Sequence, residues 1–294
     1  MVSGILNVHK EAGPTSFDVV SLVRRGTGVR KAGHAGTLDP AASGVLLVCL
    51  GQAVRISEYL MDLPKTYRAV IELGSATDTY DAEGSTTLTG DPTDVSRESV
   101  GTALEQFVGE IQQVPPAHSA VKIDGQRAYR LARSGQQVTL APRPVRVYRI
   151  ELLRFESPLV EVEVECGKGT YIRSLANDIG ENLRCGAHLS KLVRTSVGPF
   201  DIESAVEMQA LESGFESGSW RETVLPIDWG LAHLQALTLG VVDEQDLRHG
   251  QALRLDAQGS AGEERRAYGE DGSLLGIIRR DANEGVWRPR KVFV

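Results

Sequence analysis

GHAGTLDPAASGVLLVCLG, from Gly33 to Gly51, sets three closely spaced glycines and a Leu-Asp-Pro step against a long apolar run. An aspartate at an N-cap accepts from an otherwise unpartnered helical N–H, and a proline at the first helical position has no N–H to satisfy. By local chemistry alone, Asp39 reads as the cap of a helix beginning at Pro40. The flanking chain mixes two hydrophobic periods. Upstream, Ser16 stands as an N-cap before Phe17, Val19, Val20, Leu22 and Val23, with Gly26 as a stop, and predicts a short helix. Val100, Ala103, Leu104, Phe107, Val108 and Ile111 recur at helical spacing and predict another. From Val160 to Cys166, apolar residues alternate with Glu161, Glu163 and Glu165, the pattern of a half-buried antiparallel strand.

Beyond Phe200 the texture changes. Ser204 and Glu207 have the spacing of a capping box over a short helix, followed by a Gly- and Ser-rich loop near Ser213 to Ser219. From about Leu234, the short apolar runs ALTL, LRL and LLGIIRR are separated by the turns EDGS and RDANEG, which predicts a small β-barrel. No internal repeat, low-complexity tract or heptad run occurs, so solenoids and coiled coils are excluded.

The 294 residues suffice for one large and one small unit. Apolar residues make up 41%, enough for a core, and no stretch approaches the ~18 consecutive apolar residues of a membrane span. The opening MVSGILNVHKEAG lacks the features of a secretory signal, so a cytoplasmic location is expected. Cys49, Cys166 and Cys185 show no CxxC spacing and no zinc-like His pattern, and read as core thiols. A net charge of −7 argues against a nucleic-acid partner, yet the charge is unevenly spread. Lys122 to Arg154 carries eight Lys or Arg against Asp124 and Glu151, whereas Asp201 to Glu264 carries thirteen acids against three Arg. The basic stretch is either a solvated face or a phosphate-binding one.

Taken whole, GHAGTLDPAASGVLLVCLG resembles the signature of the TruB family, tRNA pseudouridine synthases that modify uridine 55 in the TΨC loop. The resemblance places that family's catalytic aspartate at Asp39. It continues in order along most of the chain. KTYRAVIELGSATDTYDAEG, Lys65 to Gly84, is similar to the motif whose tyrosine stacks on the flipped base, here Tyr67. VPPAHSAVKIDGQRAYRLARSG, Val114 to Gly135, is similar to an RNA-gripping insertion spanning about 114–150, which brings in Lys122, Arg127, Arg130 and Arg133. GTYIRSLANDIG, Gly169 to Gly180, supplies Tyr171 and Arg173, and LSKLVRTSVGPF, Leu189 to Phe200, supplies Leu192 as an apolar wall. His34 matches a position that helps fold the RNA loop. His118 departs from the Tyr or Phe common after the two prolines, although histidine also stacks on bases.

The resemblance implies an α+β fold: a catalytic unit over residues 1–230 with a mixed, mostly antiparallel sheet, then a PUA-like barrel over 235–294. It implies the TΨC arm of tRNA as partner, with no membrane, no obligatory protein partner, no metal and no cofactor. The chemistry is consistent. Isomerising uridine breaks the bond from C1′ to N1 and joins C1′ to C5, which calls for neither redox carrier nor external nucleophile, and the chain lacks phosphate-loop and dinucleotide fingerprints. A hydrolytic glycosidase would use two carboxylates, whereas one carries the signature here. Arg173 is the natural counter-charge for Asp39. Two other readings compete: the RNA-guided branch of the family, separated by its need for a guide RNA, and a tRNA-folding module, for which Asp39 would be dispensable.

Overall fold

The computed structural model describes residues 2–119, 121–123, 125–128, 131 and 140–293. Its centre is a mixed sheet whose main path runs Val206–Glu207, Gly4–Lys10, Ser43–Leu50, Ala187–Val197, Lys65–Leu73, Leu159–Cys166, Arg143–Glu156, Gly109–Gln113. Two pairings are parallel, Gly4–Lys10 with Val206–Glu207 and Ala187–Val197 with Ser43–Leu50; the others on the path are antiparallel. This is the mixed, mostly antiparallel sheet expected.

Period-two alternation explains the middle of the sheet. Val160, Val162, Val164 and Cys166 are buried, while Glu161 and Glu163 on the opposite face reach Arg68 and Arg149. The buried face is covered by the helix Ile172–Asn182, whose Leu175, Ala176 and Ile179 join Val100 and Leu104 in one core. The helix Ser16–Thr27 covers a second core through Val19, Val20 and Val23.

Several local expectations shift. Thr15, not Ser16, caps the first helix, in a reciprocal capping box with Asp18, and Gly28 in the left-handed region ends it rather than Gly26. Ser16 is freed for another task described below. The helix predicted as far as Ile111 covers only Arg97–Glu105, and Ile111 belongs to the strand Gly109–Gln113, because Gly109 at φ +111 breaks the helical run. Ser204 forms no capping box with Glu207. It bonds back to Asp201, and Glu207 caps Met208–Ser217 without a side-chain bond, so Ser213 to Ser217 is helix rather than loop.

Of the three apolar runs, ALTL and LLGIIRR lie on strands, LRL makes only an isolated bridge from Leu253 to Trp287, and the strands form an open sheet rather than a closed barrel. Gln235–Thr238, Glu264–Tyr268, Leu274–Arg280 and Trp287–Val292 pair in that order, leaving the first and last unjoined. Both faces are already covered, so closure is not needed to bury them. Leu275, Ile278 and Trp287 pack with Leu239, Leu247 and Leu253 on one side, while Ile277 enters a core with Ile56 and Leu60 on the other. Tyr59 donates to Glu264 at 2.7 Å and Lys291 pairs with Glu58 at 3.0 Å, fastening this sheet to the larger unit.

Candidate active site

Asp39 does not cap a helix. Its carbonyl accepts from the Ala42 N–H at 3.1 Å across a single turn with Pro40 at its second position, and the chain then enters the strand Ser43–Leu50. A lone turn holds its side chain weakly, so the surroundings must fix it. They do so through buried polar groups. Ser16 Oγ accepts from the Leu38 N–H and donates to the Leu38 carbonyl, each at 2.9 Å. Lys10, fully buried, donates to the carbonyls of Pro40 at 3.1 Å and Ala42 at 2.7 Å. Arg194, also buried, donates to Val45, Thr37 and Gly36 carbonyls at 2.7, 3.3 and 3.2 Å. Gly44, at φ +107, lets the two strands close here, because a Cβ would stand 2.2 Å from the Arg194 carbonyl oxygen.

Burial pushes the Lys10 ammonium down to about 8; the Asp39 charge opposes that shift and Arg194 reinforces it. The carboxylate of Asp39 itself is 42% exposed, at the edge of this buried network. Two cations thus hold the loop from behind and leave the acid facing outward.

Arg173 meets Asp39 from the opposite side. It lies in the first turn of Ile172–Asn182, whose N-cap, Tyr171, is fixed by Gln113: the amide donates to the Tyr171 carbonyl at 3.0 Å and its oxygen accepts from the Tyr171 N–H at 2.8 Å. The Arg173 side chain is 9% exposed. Its Nε is 3.0 Å from Asp39 Oδ2, its Nη1 3.2 Å from Asp81 Oδ2, and its Nη2 donates to the His118 carbonyl at 3.1 Å. The guanidinium is therefore held between two carboxylates. Asp81 is positioned in turn by Thr79, whose hydroxyl donates to Oδ1 at 2.6 Å, and by pairing of its segment with Leu189. Tyr80, at φ +63, makes the turn that directs Asp81 inward.

Tyr67 lies on Lys65–Leu73 opposite Val164 and Arg194. Burial raises its phenol, Arg194 lowers it, and the Asp39 charge raises it further. Tyr171 is likewise raised by burial, with Asp39 adding and Arg173 opposing. The Asp39 charge thus bears on Tyr67, Tyr171 and Lys10, while its carboxylate pairs directly with Arg173. Leu192, half-buried, packs against the core that includes Tyr67, and His34 ends the short strand Ala32–His34 opposite Val48.

The RNA-facing expectations fare unevenly. His118 reaches the site through its carbonyl rather than its ring. Lys122 and Arg127 are paired along the backbone in a two-residue hairpin; their side chains, and the whole of Arg130 and Arg133, lie outside the described residues. Sequence reasoning missed Lys10, Asp81 and Arg194. Asp81 and Arg194 sit inside the quoted motifs TDTYDAEG and LSKLVRTSVGPF, and Lys10 is a lone cation ending an apolar strand, so the available signal was a charge where patterning demands burial. Among the described residues, no group of three or more His, Cys, Asp or Glu is arranged to hold a metal ion, and no helix is long and apolar enough to cross a membrane.

Comparison with known proteins identifies the family. Residues 24–172 match the model of the TruB family pseudouridylate synthase N-terminal domain, and residues 173–232 that of the tRNA pseudouridylate synthase B C-terminal domain. The chain is 43% identical over 293 residues to tRNA pseudouridine synthase B of Dehalococcoides mccartyi, covering 100% of this chain and 97% of the relative. It is 41% identical over 277 residues to the protein of that name from Chromohalobacter salexigens, covering 94% and 90%. Among solved structures it is similar to a chain of an H/ACA RNP bound to a substrate RNA containing 2′-deoxyuridine, with a TM-score of 0.78 and 26% identity over 99% of this chain and 85% of that one. A chain of a Cbf5-Nop10-Gar1 complex gives a TM-score of 0.75 at 29% identity, over 95% and 78%. With two family models spanning the Asp39 loop, Arg173 and Leu192, and full-length relatives above 40% identity, the chain belongs to the TruB family of tRNA pseudouridine synthases, which are isomerases.

Proposed function

We propose that this chain isomerises uridine 55 in the TΨC loop of tRNA, acting without guide RNA or partner protein, with Asp39 as the catalytic carboxylate. The observation that carries the reading is the Asp39 carboxylate, fixed 3.0 Å from Arg173 on a loop anchored by buried groups and flanked by Tyr67 and Tyr171. The reaction breaks the C1′–N1 bond, turns the base in place and forms C1′–C5; N1 gains a proton and C5 loses one, so atoms and electrons balance with no external co-reactant. A metal or organic cofactor therefore has no step to serve.

The target base must leave its stack, at a cost of a few kcal/mol. Stacking on Tyr67 recovers ~1–3 kcal/mol of it. Leu192 supplies an apolar wall, Tyr171 closes the other side, and Arg173 orients the Asp39 oxygens toward the sugar and base. His34 and the 114–150 insertion, with His118, Lys122, Arg127, Arg130 and Arg133, grip the RNA arm. Residues 1–230 form the catalytic unit. The sheet over 235–294 is a PUA-like RNA-binding unit, and the protein works in the cytoplasm.

The likeness to H/ACA RNP chains favours one alternative, a guided enzyme. Relatives at 41–43% identity carrying the name tRNA pseudouridine synthase B weigh against it, since the guided neighbours are 26–29% identical. The deciding experiment incubates purified chain with unmodified tRNA transcript alone and maps the product chemically. One pseudouridine at position 55 is expected; no conversion until a guide is supplied, or conversion elsewhere, would overturn the reading.

A further inference from the structure

Two arginines of the basic stretch that stands out in the sequence are neutralised in the fold. Arg149 pairs with Glu151 and Glu163, and Arg154 with Glu156, all on neighbouring positions of the sheet. Exposed positive charge also gathers at the end of the first helix. Arg24, Arg25, Arg30 and Lys31 are all exposed, and none of their side chains takes part in an ion pair or hydrogen bond among the described residues. The first 56 residues hold only three acids, Glu11, Asp18 and Asp39. Asp18, bonded to Thr15, keeps a charge that acts on Arg25, and Asp39 pairs with Arg173, so the four cations remain in excess.

A helix C-terminus attracts cations by itself, and that accounts for Arg24 and Arg25 in the last turn of Ser16–Thr27. It does not account for Arg30 and Lys31, which follow the Gly28 cap and lie outside the helix. Four like charges on one exposed corner of a chain with net charge −7 repel one another and add nothing to folding. Such a corner fits a polyanion.

Its distance from Asp39 is bounded in two ways. Ser16, which holds Leu38, opens the helix that carries Arg24 and Arg25 eight and nine residues later, about 12–14 Å along its axis at 1.5 Å per residue. Lys31 precedes Asp39 by eight residues, so the two are at most about 28 Å apart even with the chain fully extended. An RNA arm with one nucleotide at Asp39 has its backbone within that range.

We propose that Arg24, Arg25, Arg30 and Lys31 form a phosphate-binding corner that engages the backbone of the substrate tRNA, separately from the 114–150 insertion. This rests on the tRNA reading above, and the test keeps the two apart. Equilibrium binding of unmodified tRNA is measured against salt concentration for wild type, for the Arg24→Gln, Arg25→Gln, Arg30→Gln, Lys31→Gln quadruple variant, and for an Arg154→Gln control. Each phosphate contact contributes ~0.7–0.9 to the slope of log affinity on log salt, so the quadruple variant loses about 3 in slope and about tenfold or more in affinity near 0.1 M salt. The control should keep the wild-type slope, and single-turnover conversion at saturating enzyme should keep its rate in the quadruple variant. The pairs Arg24→Gln, Arg25→Gln and Arg30→Gln, Lys31→Gln give half the effect each and serve if the quadruple variant fails to fold. An unchanged slope in folded variants, or an equal loss in the control, overturns the proposal. Wild type that converts no tRNA would sink the catalytic reading, while a slope difference between wild type and quadruple variant would still establish the corner as an RNA contact.

Discussion

Replacing Asp81 with asparagine changes one charge and almost no volume, and it tests whether the Arg173 guanidinium must be held from both sides. At the observed 3.2 Å, opposite charges attract by about 5 kcal/mol at an effective dielectric of about 20, a ceiling before desolvation is subtracted. The amide oxygen can still accept from Nη1, so the hydrogen bond survives without its charge. The guanidinium keeps its charge, so the remaining bond is still charge-assisted, and solvent screening and desolvation cut the lost attraction to roughly 1–2 kcal/mol. Asp81 is 17% exposed and sits behind Arg173, away from the open side of Asp39, so this loss should appear in the chemical step and not in RNA affinity. At 1.36 kcal/mol per tenfold, single-turnover pseudouridine formation should slow by about 5–30-fold. The assay follows product formation at enzyme well above the dissociation constant, with tRNA binding measured in parallel. A rate within about twofold of wild type in a normally folded variant would show that Asp39 and the His118 carbonyl suffice to orient Arg173 and would refute the two-sided clamp. A fall in affinity matching the fall in rate would refute it equally.

Asp39→Asn should abolish turnover while tRNA binding persists, because the amide keeps the shape without the charge; wild-type turnover in protein whose mass excludes deamidation would sink the assignment. Burial, with the Glu181 charge adding, raises the Asp178 carboxyl from 3.8 to about 6. The folded state therefore binds more protons than the unfolded one between about pH 4 and 6, and stability falls as pH rises through that window. Asp178→Asn should remove the loss, adding roughly 1–2 kcal/mol at pH 7 once partial exposure is allowed for, and nothing below about pH 4. Melting curves across that range check it, and an identical pH profile in both proteins would count against it. Gly44→Ala should cost roughly 2–4 kcal/mol, from positive φ plus the contact with the Arg194 carbonyl. Urea unfolding measures that cost, and a midpoint equal to wild type would show that the strand crossing tolerates a methyl group.

The sequence by itself determined the elements whose signal is local. Alternation from Val160 to Cys166 marks a strand because a pleated chain sends successive side chains to opposite faces, and the turns EDGS and RDANEG bound their strands because Gly and Asp adopt turn geometry at little cost. The ordered motifs also carried the family and, with it, Asp39, Tyr67, Tyr171 and Arg173. Tertiary structure alone decided what those residues touch. Leu-Asp-Pro followed by alanines satisfies the rules of a helix start, yet Lys10, Ser16 and Arg194, brought from 29, 23 and 155 positions away in the chain, take up the loop's polar groups and leave a single turn. Charge pairing is decided the same way. A count along the chain cannot tell that Glu163, on the adjacent strand, faces Arg149, nor that Arg30 and Lys31 make no ion pair among the described residues. The C-terminal barrel was expected because short apolar runs separated by turns suit a closed sheet; here the larger unit covers one face through Ile56 and Leu60, and the sheet stays open. Local periodicity reports which side of an element is apolar, and only the fold settles which neighbour covers it.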